Sequence, residues 1–448
     1  MKFGVIVFVA AGCLGLAHRA AAQPGARDVG FAEAERTALA NNVEVKIADE
    51  GLVAAKRGAK STRALRLPKL TVDSNVLLWD KELAFDFAIP GMPAPPGSSV
   101  VVRDRVTSTT SVTLAQPLSA QLVIKHMEAL SRQGVAAAKV DRQRARIDVA
   151  YHAADAYVSV LLAQSATALA SERIKQLSAQ LDRVKILVKG GVRQRVDELR
   201  LESALAKARA DQVRGATSVR LAQGLLAVAM GVPSSTLINV KDSFPTSPGP
   251  PRSTYRNAIA MAENKRPEMR AVHIQRRQAE LAAQVEKSKL YPNITAIGTL
   301  QHNEGQGSFQ PKNAWFVGIT LQWDVWDWGG QWNSYKQARA RARAAALAKL
   351  RVRDGIRIEV GAQMLAAQSS HKLIAVTETG VKAAAEAYRI EKDRYQAGAV
   401  TTTELLDAEA EFAKAKLAYT SARYSYFREL IKLAKITGRL PTTLFKGL

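Results

Sequence analysis

The stretch WFVGITLQWDV, Trp315 to Val325, decides the fold. Read with a period of two, Trp315, Val317, Ile319, Leu321, Trp323 and Val325 share one face, and Phe316, Gly318, Thr320, Gln322 and Asp324 share the other. An apolar face with tryptophan near both ends, backed by a mostly polar face, is the pattern of a barrel strand that crosses a membrane in about ten residues. A half-buried strand of a soluble sheet alternates in the same way, so the neighbouring sequence has to decide. The strand runs on into VWDWGGQWNSYKQARARA, from Val325. There Gly329 and Gly330 separate the strand from a run of alanine, arginine, lysine and glutamine, all good helix formers.

The chain is written twice. FAEAERTALANN…RLPKLTV from Phe31 aligns without a gap to YRNAIAMAENKR…LYPNITA from Tyr255, Pro68 meeting Pro292 and Thr71 meeting Thr295. Further on, VTLAQPL from Val112 meets ITLQWDV from Ile319, Gly191 meets Gly398 and Gly231 meets Gly438, all in one register. The offset falls between the two blocks, so the first half carries an insertion between Pro68 and Val112. IPGMPAPPGSS, Ile89 to Ser99, is a loop by its prolines and glycines and accommodates it. The expected organisation is a first repeat over 23–233, a linker over 234–253 and a second repeat over 254–448. Each repeat opens with a short helix ending at a proline. Strand pairs are expected at about 68–118 and 292–326, and long helical hairpins at about 120–231 and 331–438, with a short C-terminal tail. The two proline-free stretches favour helices far longer than a globular core of this size requires, as in a coiled-coil tube.

Four strands per chain cannot close a barrel, and open edges are not tolerated in lipid, so a barrel must be shared between chains. The fold class expected is therefore an α+β membrane protein, internally duplicated. Its four transmembrane strands per chain complete a shared barrel, carried on long coiled-coil hairpins.

The second hairpin turns at YQAGAVTTTELLDAE. Gly398 supplies a left-handed helix end, and Thr401 with Glu404 three residues on forms a capping box. Asp407 lies a turn further in, on the face of Glu404. The first hairpin turns at KGGVRQRVDELRLE, with Gly190 and Gly191, and Asp197 occupies the register of Glu404.

The N-terminus reads as an export signal over 1–22: Lys2, an apolar run from Phe3 to Ala17, and Ala20-Ala21-Ala22 before Gln23. Cys13, the single cysteine, lies inside it, and a second reading makes it a lipidation site. The formal charge is +24, which admits a nucleic-acid binder by charge alone; export argues against nucleic acid as a partner. Between Lys336 and Arg357 stand eight basic residues and one acid. That run suits anionic headgroups, a lumen biased toward anions, or a solvated helix face. The sequence has no P-loop, no GxSxG nucleophile elbow and no histidine pair at metal spacing, so no catalytic residue, metal or cofactor is expected.

Signal, duplicated strand pairs and paired long helices together resemble the TolC-like outer-membrane efflux channel family, over nearly the whole mature chain. The most specific pieces are VWDWGGQWNSYKQARARA and YQAGAVTTTELLDAE, supported by the strand starts LRLPKLTV and KLYPNITA. The resemblance implies a homotrimer with a twelve-stranded barrel in the outer-membrane lipid and a periplasmic α-barrel, loaded by a periplasmic adaptor and an inner-membrane pump. It implies a non-enzymatic exit duct. It makes Glu404, Asp407 and Asp197 gate carboxylates at the periplasmic tip, and gives Tyr395 a closing contact to Asp197. Val400 stands where the family has an arginine, and Arg193 and Arg195 are the candidates to replace that bond. Trp315 and Trp323 become membrane-interface aromatics, and Gly329-Gly330 the strand-to-helix turn. The other reading of the chain is a periplasmic coiled-coil scaffold or adaptor without its own pore.

Overall fold

The computed structural model describes residues 27–86, 99–242, 244–246, 248–251, 253–307 and 310–445. The export signal, Cys13 and most of the Ile89–Ser99 loop lie outside the described residues. In chain order the elements are β1 (Arg27–Val29), α1 (Phe31–Asn41), α2 (Val43–Ala64), β2 (Lys69–Leu78), β3 (Leu83–Asp86), β4 (Ser99–Arg103), β5 (Val106–Pro117), α3 (Gln121–Lys189), α4 (Arg195–Ala229) and β6 (Ile238–Val240). The second repeat adds α5 (Tyr255–Lys265), α6 (Pro267–Ser288), β7 (Asn293–Glu304), β8 (Asn313–Gln322), α7 (Gly330–Gln396) and α8 (Thr402–Ile436), closed by a 3-10 turn at Pro441–Thr443.

The four long strands form one antiparallel sheet in the order β2-β5-β7-β8. Its register extends the reading of one strand to four. The rows Val72/Val112/Leu300/Trp315 and Leu70/Leu114/Gly298/Val317 lie on one face. The rows Thr71/Thr113/Thr299/Phe316 and Asp73/Ser111/Gln301/Ala314 lie on the other. Leu70, Val72, Leu300, Trp315, Val317, Ile319 and Leu321 are exposed on the apolar face. On the polar face Thr113 and Thr299 share a 3.2 Å hydroxyl contact. β8 is shorter than expected: Gln322 is its last strand residue, so Trp323 and Val325 lie beyond the ladder. The β3–β4 hairpin, which the sequence does not announce, extends the first repeat's strand pair.

The hairpins are unequal. α3 has 69 residues, about 100 Å of helix, while α4 has 35. The shortfall is made up by α2, which packs on the upper part of α3 through Val45, Val149 and Ala153. In the second repeat α7, with 67 residues, pairs with α8 below and α6 above. Each repeat also opens with two helices where one was expected. Asn42 breaks the first pair, its side chain accepting from Glu44 N at 2.9 Å. Arg266 breaks the second, with Pro267 at the first helical position. Among the described helices α3 alone is apolar enough in one stretch to cross a membrane by length and composition. Its Ala154, Tyr157, Val158 and Leu161 are instead buried against α4, α8 and the small parallel β1–β6 sheet.

The 234–253 linker is pinned to this waist. Tyr157 Oη donates to Lys241 O at 2.6 Å, Arg423 Nη2 to Asp242 Oδ2 and Phe244 O at 2.8 Å each, and Tyr426 Oη to Gly249 O at 2.7 Å. Burial pushes the Tyr426 phenol up to about 12. Its ordinary value is about 10. The neutral phenol therefore supports the fold fully below pH 10, and that support is lost as pH rises toward 12. Unfolding in detergent from pH 9 to 12 should show this loss, and Tyr426→Phe should flatten it. An equal pH dependence in both proteins would reject the assignment.

Candidate functional site

Two regions gather the residues singled out by the sequence. The first is the junction of β8 with α7. Asp327 builds the turn: its Oδ1 accepts from Gly329 N at 3.0 Å and its Oδ2 from Gln331 N at 2.6 Å. This supplies the carboxylate that the start of α7 otherwise lacks. Gly329 is left-handed, with φ 83°, and so is Trp328, with φ 55°. A left-handed tryptophan costs about 1–2 kcal/mol, yet its side chain is 87% exposed. Trp323, Trp326 and Trp332 are exposed beside it, and Trp326 packs edge-on to Trp328 at 5.7 Å. Trp315 lies near the opposite end of β8, on the same face as Trp323. All six tryptophans of the chain fall between Trp79 and Trp332, and none lies in α3, α4 or α8. Tryptophan confined to one end of so long a molecule is what a membrane–water boundary selects.

The second region is the opposite end, where the two hairpins turn. Gly191 and Gly398 are left-handed, with φ 73° and 75°. Gly190 is not, with φ −82°, and nothing in its backbone requires glycine. Thr401 N donates to Glu404 Oε2 at 2.7 Å and Glu404 N to Thr401 Oγ1 at 3.3 Å, the capping box. Glu404 is exposed, and the Thr401 amide, followed by the Thr401 hydroxyl, holds its carboxyl below the usual range. It stays anionic there. Asp407 is also exposed, with no hydrogen bond or ion pair among the described residues. Asp197 is only 8% exposed, in the first turn of α4. Glu404 and Asp197 thus share a register but not an environment.

Tyr395 does not reach Asp197 within the chain. Its hydroxyl pairs with Thr402 Oγ1 at 3.1 Å. Arg193 crosses from the first tip to the second instead: its Nη2 donates to Tyr395 O at 3.0 Å, and its guanidinium lies 4.4 Å from the ring centroid. Arg195 stays local, paired with Glu198. Val400 is 6% exposed, in an apolar cluster with Leu177, Leu181, Leu201, Tyr388 and Leu405 that joins both hairpins. At this position, where the family's arginine is absent, the chain uses apolar burial.

The sequence reading missed the strongest polar link between the hairpins. Arg173 on α3 donates Nε to Glu409 Oε1 and Oε2 at 3.1 Å each, and Nη2 to Oε2 at 2.9 Å. Two further links, Asp155–Arg428 at 2.9 Å and Asp148–Lys435 at 2.8 Å, lie higher on the same pair of helices. No local signal marks such pairs, since the partners are more than 230 residues apart.

The comparisons agree with this geometry. The outer membrane efflux protein family matches residues 258–439, nearly all of the second repeat. Nodulation protein T of Rhizobium leguminosarum bv. trifolii is 22% identical over 328 residues, covering 69% of this chain and 70% of that protein. Among solved structures, the outer-membrane channel OprN superposes with a TM-score of 0.75 at 20% identity, over 91% of this chain and 89% of its own. The CmeC outer membrane channel of Campylobacter jejuni gives 0.72 at 15% identity, over 91% and 85%. With its duplicated strand pairs and its unequal hairpins, the chain has the fold of these outer-membrane channels, and its second repeat matches the outer membrane efflux protein family.

Proposed function

We propose that three copies of this chain form an outer-membrane exit duct, fed from the periplasm by an adaptor and an inner-membrane pump. One observation carries the reading. The β2-β5-β7-β8 sheet presents an apolar outer face and a polar inner face, and among the described residues its two edges, β2 and β8, are unpaired. In lipid those edges must find partners. Pairing β8 of one chain with β2 of the next gives twelve strands in a trimer, with polar rows facing a water-filled lumen. The protein lies in the outer membrane, and its helices extend into the periplasm as the wall of the duct. The duct transports and carries out no reaction, and needs no cofactor.

At the tip, Glu404 and Asp407 from three chains form two rings of negative charge. Carboxylates so placed attract cations and slow anions. Asp197, Gly191, Gly398 and Tyr395 shape the constriction, and the Arg193–Tyr395 contact holds the two hairpins of one chain together there. Single-channel recording in a planar bilayer tests the whole reading. The wild type should show discrete, cation-selective openings. Glu404→Gln keeps the capping box, which accepts glutamine, while removing the charge. Glu404→Gln/Asp407→Asn should therefore lower cation selectivity several-fold with helix content unchanged. Openings indifferent to the pair would leave the duct and discard the gate. Absence of conductance from inserted, folded protein would discard the duct.

A further inference from the structure

Several cations of α7 far from the barrel are paired: Arg357 with Glu263, Lys382 with Glu378, Arg389 with Glu386 and Asp393, and Arg394 with Glu391, while Lys372 and Lys392 have no ion pair among the described residues. Beside the barrel none of a cluster of four is paired. Lys336, Arg339, Arg341 and Arg343 are exposed and meet no carboxylate among the described residues. Lys336 Nζ lies 5.4 Å from the centroid of Trp332, the Arg339 guanidinium lies 5.9 Å from that of Tyr335, and Trp332 and Tyr335 are 5.6 Å apart. This is one face of α7, directly below the exposed tryptophans.

α2 repeats the feature. Lys56, Arg57, Lys60 and Arg63 are exposed and likewise have no acidic partner among the described residues. α2 leads into β2 and α7 follows β8, the two free edges of the sheet. Once those edges pair, the barrel-proximal ends of α2 and α7 from neighbouring chains stand side by side at the seam. Eight uncompensated cations would then share one rim of the membrane. Like charges gathered this closely destabilise the assembly unless an anion enters.

We propose that each seam between protomers binds anionic phospholipid headgroups of the periplasmic leaflet, with Lys336 and Arg339 of one chain and Lys60 and Arg63 of the next holding the phosphates. The inference rests on the trimeric duct proposed above. Aromatic rings fix the depth of the acyl–headgroup boundary, and the long basic side chains reach from it to the phosphates. The ligand is identified by its charge and by its place beside the apolar face, since a soluble anion has no use for the tryptophans.

Native mass spectrometry of the purified trimer, titrated with phosphatidylglycerol or phosphatidylcholine, tests this. Wild type should prefer phosphatidylglycerol. Lys336→Gln/Arg339→Gln should weaken that lipid about thirtyfold, at about a factor of five for each charge removed near the surface. Lys60→Gln/Arg63→Gln on α2 should do the same. Lys336→Arg/Arg339→Lys should retain binding, which separates lost charge from misfolding. Arg389→Gln, far from the barrel, should have no effect. Equal affinity for the two lipids in an inserted trimer would overturn the proposal and leave the duct standing. Failure to trimerise or insert would count against the duct itself. Unchanged lipid affinity with lowered anion conductance in the α7 pair would place those side chains in the lumen, and also overturn it.

Discussion

Arg173→Ala is expected to destabilise the helical part of the protein by about 3–5 kcal/mol, the cost of leaving a buried carboxylate unpaired. Glu409 is 1% exposed and takes three charge-assisted hydrogen bonds from Arg173. Removing the guanidinium abandons that charge between α3 and α8, where water cannot replace it. The pair matters for register as well as for stability. Descending the two helices, Asp148–Lys435 and Asp155–Arg428 have the acid on α3, whereas Arg173–Glu409 has it on α8. Sliding one hairpin along the other far enough to set Asp155 opposite Glu409, or Arg173 opposite Arg428, would bring like charges together. Denaturant unfolding in detergent, followed by helix dichroism, measures the effect. The swap Arg173→Glu/Glu409→Arg should recover part of the loss, and Arg173→Met/Glu409→Leu should lie closer to wild type than Arg173→Ala does, because no lone charge remains. A loss below about 0.5 kcal/mol for Arg173→Ala, as at an ordinary surface site, would show that the carboxylate finds solvent after all.

The sequence is informative where structure follows from a local period. The alternation around Trp323 sorts the faces of β8 before any partner is known, and the register then carries that sorting across β7, β5 and β2. The capping box at Thr401 is equally local. The break in the opening helices was also within reach, since Asn42 is a strong N-cap and Pro267 a strong first helical residue. What could not be read was contact at a distance. Arg173 and Glu409 lie on separate repeats, and either looks like one more charge on a solvated helix. The linker from 234 to 253 reads as a spacer from its prolines, yet it is held by Arg423, Tyr424 and Tyr426 nearly 180 residues downstream. Tyr395 shows the limit of reasoning by resemblance. Its position matched the family, but its hydroxyl is taken by Thr402, a residue with no charge to attract notice.

Gly231→Ala and Gly438→Ala should each cost about 2–4 kcal/mol, against about 1 kcal/mol for Gly191→Ala or Gly398→Ala. All four glycines are left-handed, with φ between 70° and 75°, so the backbone penalty for alanine is common to them. Their surroundings differ. A Cβ at Gly191 or Gly398 would meet nothing within 4 Å. At Gly231 it would fall 2.6 Å from Asn41 C and Asn42 N, and at Gly438 it would fall 2.8 Å from Lys265 C. Those neighbours are backbone atoms at the breaks between α1 and α2 and between α5 and α6, and they cannot swing aside as a flexible side chain would. Each repeat therefore seats the end of its shorter hairpin helix on the break in its opening helices. In the first repeat Asn42 Nδ2 adds a 2.9 Å bond to Ala229 O. This joint stacks α2 on α4, and α6 on α8, so that two short helices run alongside one long one. Alanine at Gly231 should push the joint open and loosen α2 from α3, and hydrogen exchange in α2 should rise before that in α4. Equal costs at all four glycines would mean that only the left-handed backbone matters and that the close approach carries no load.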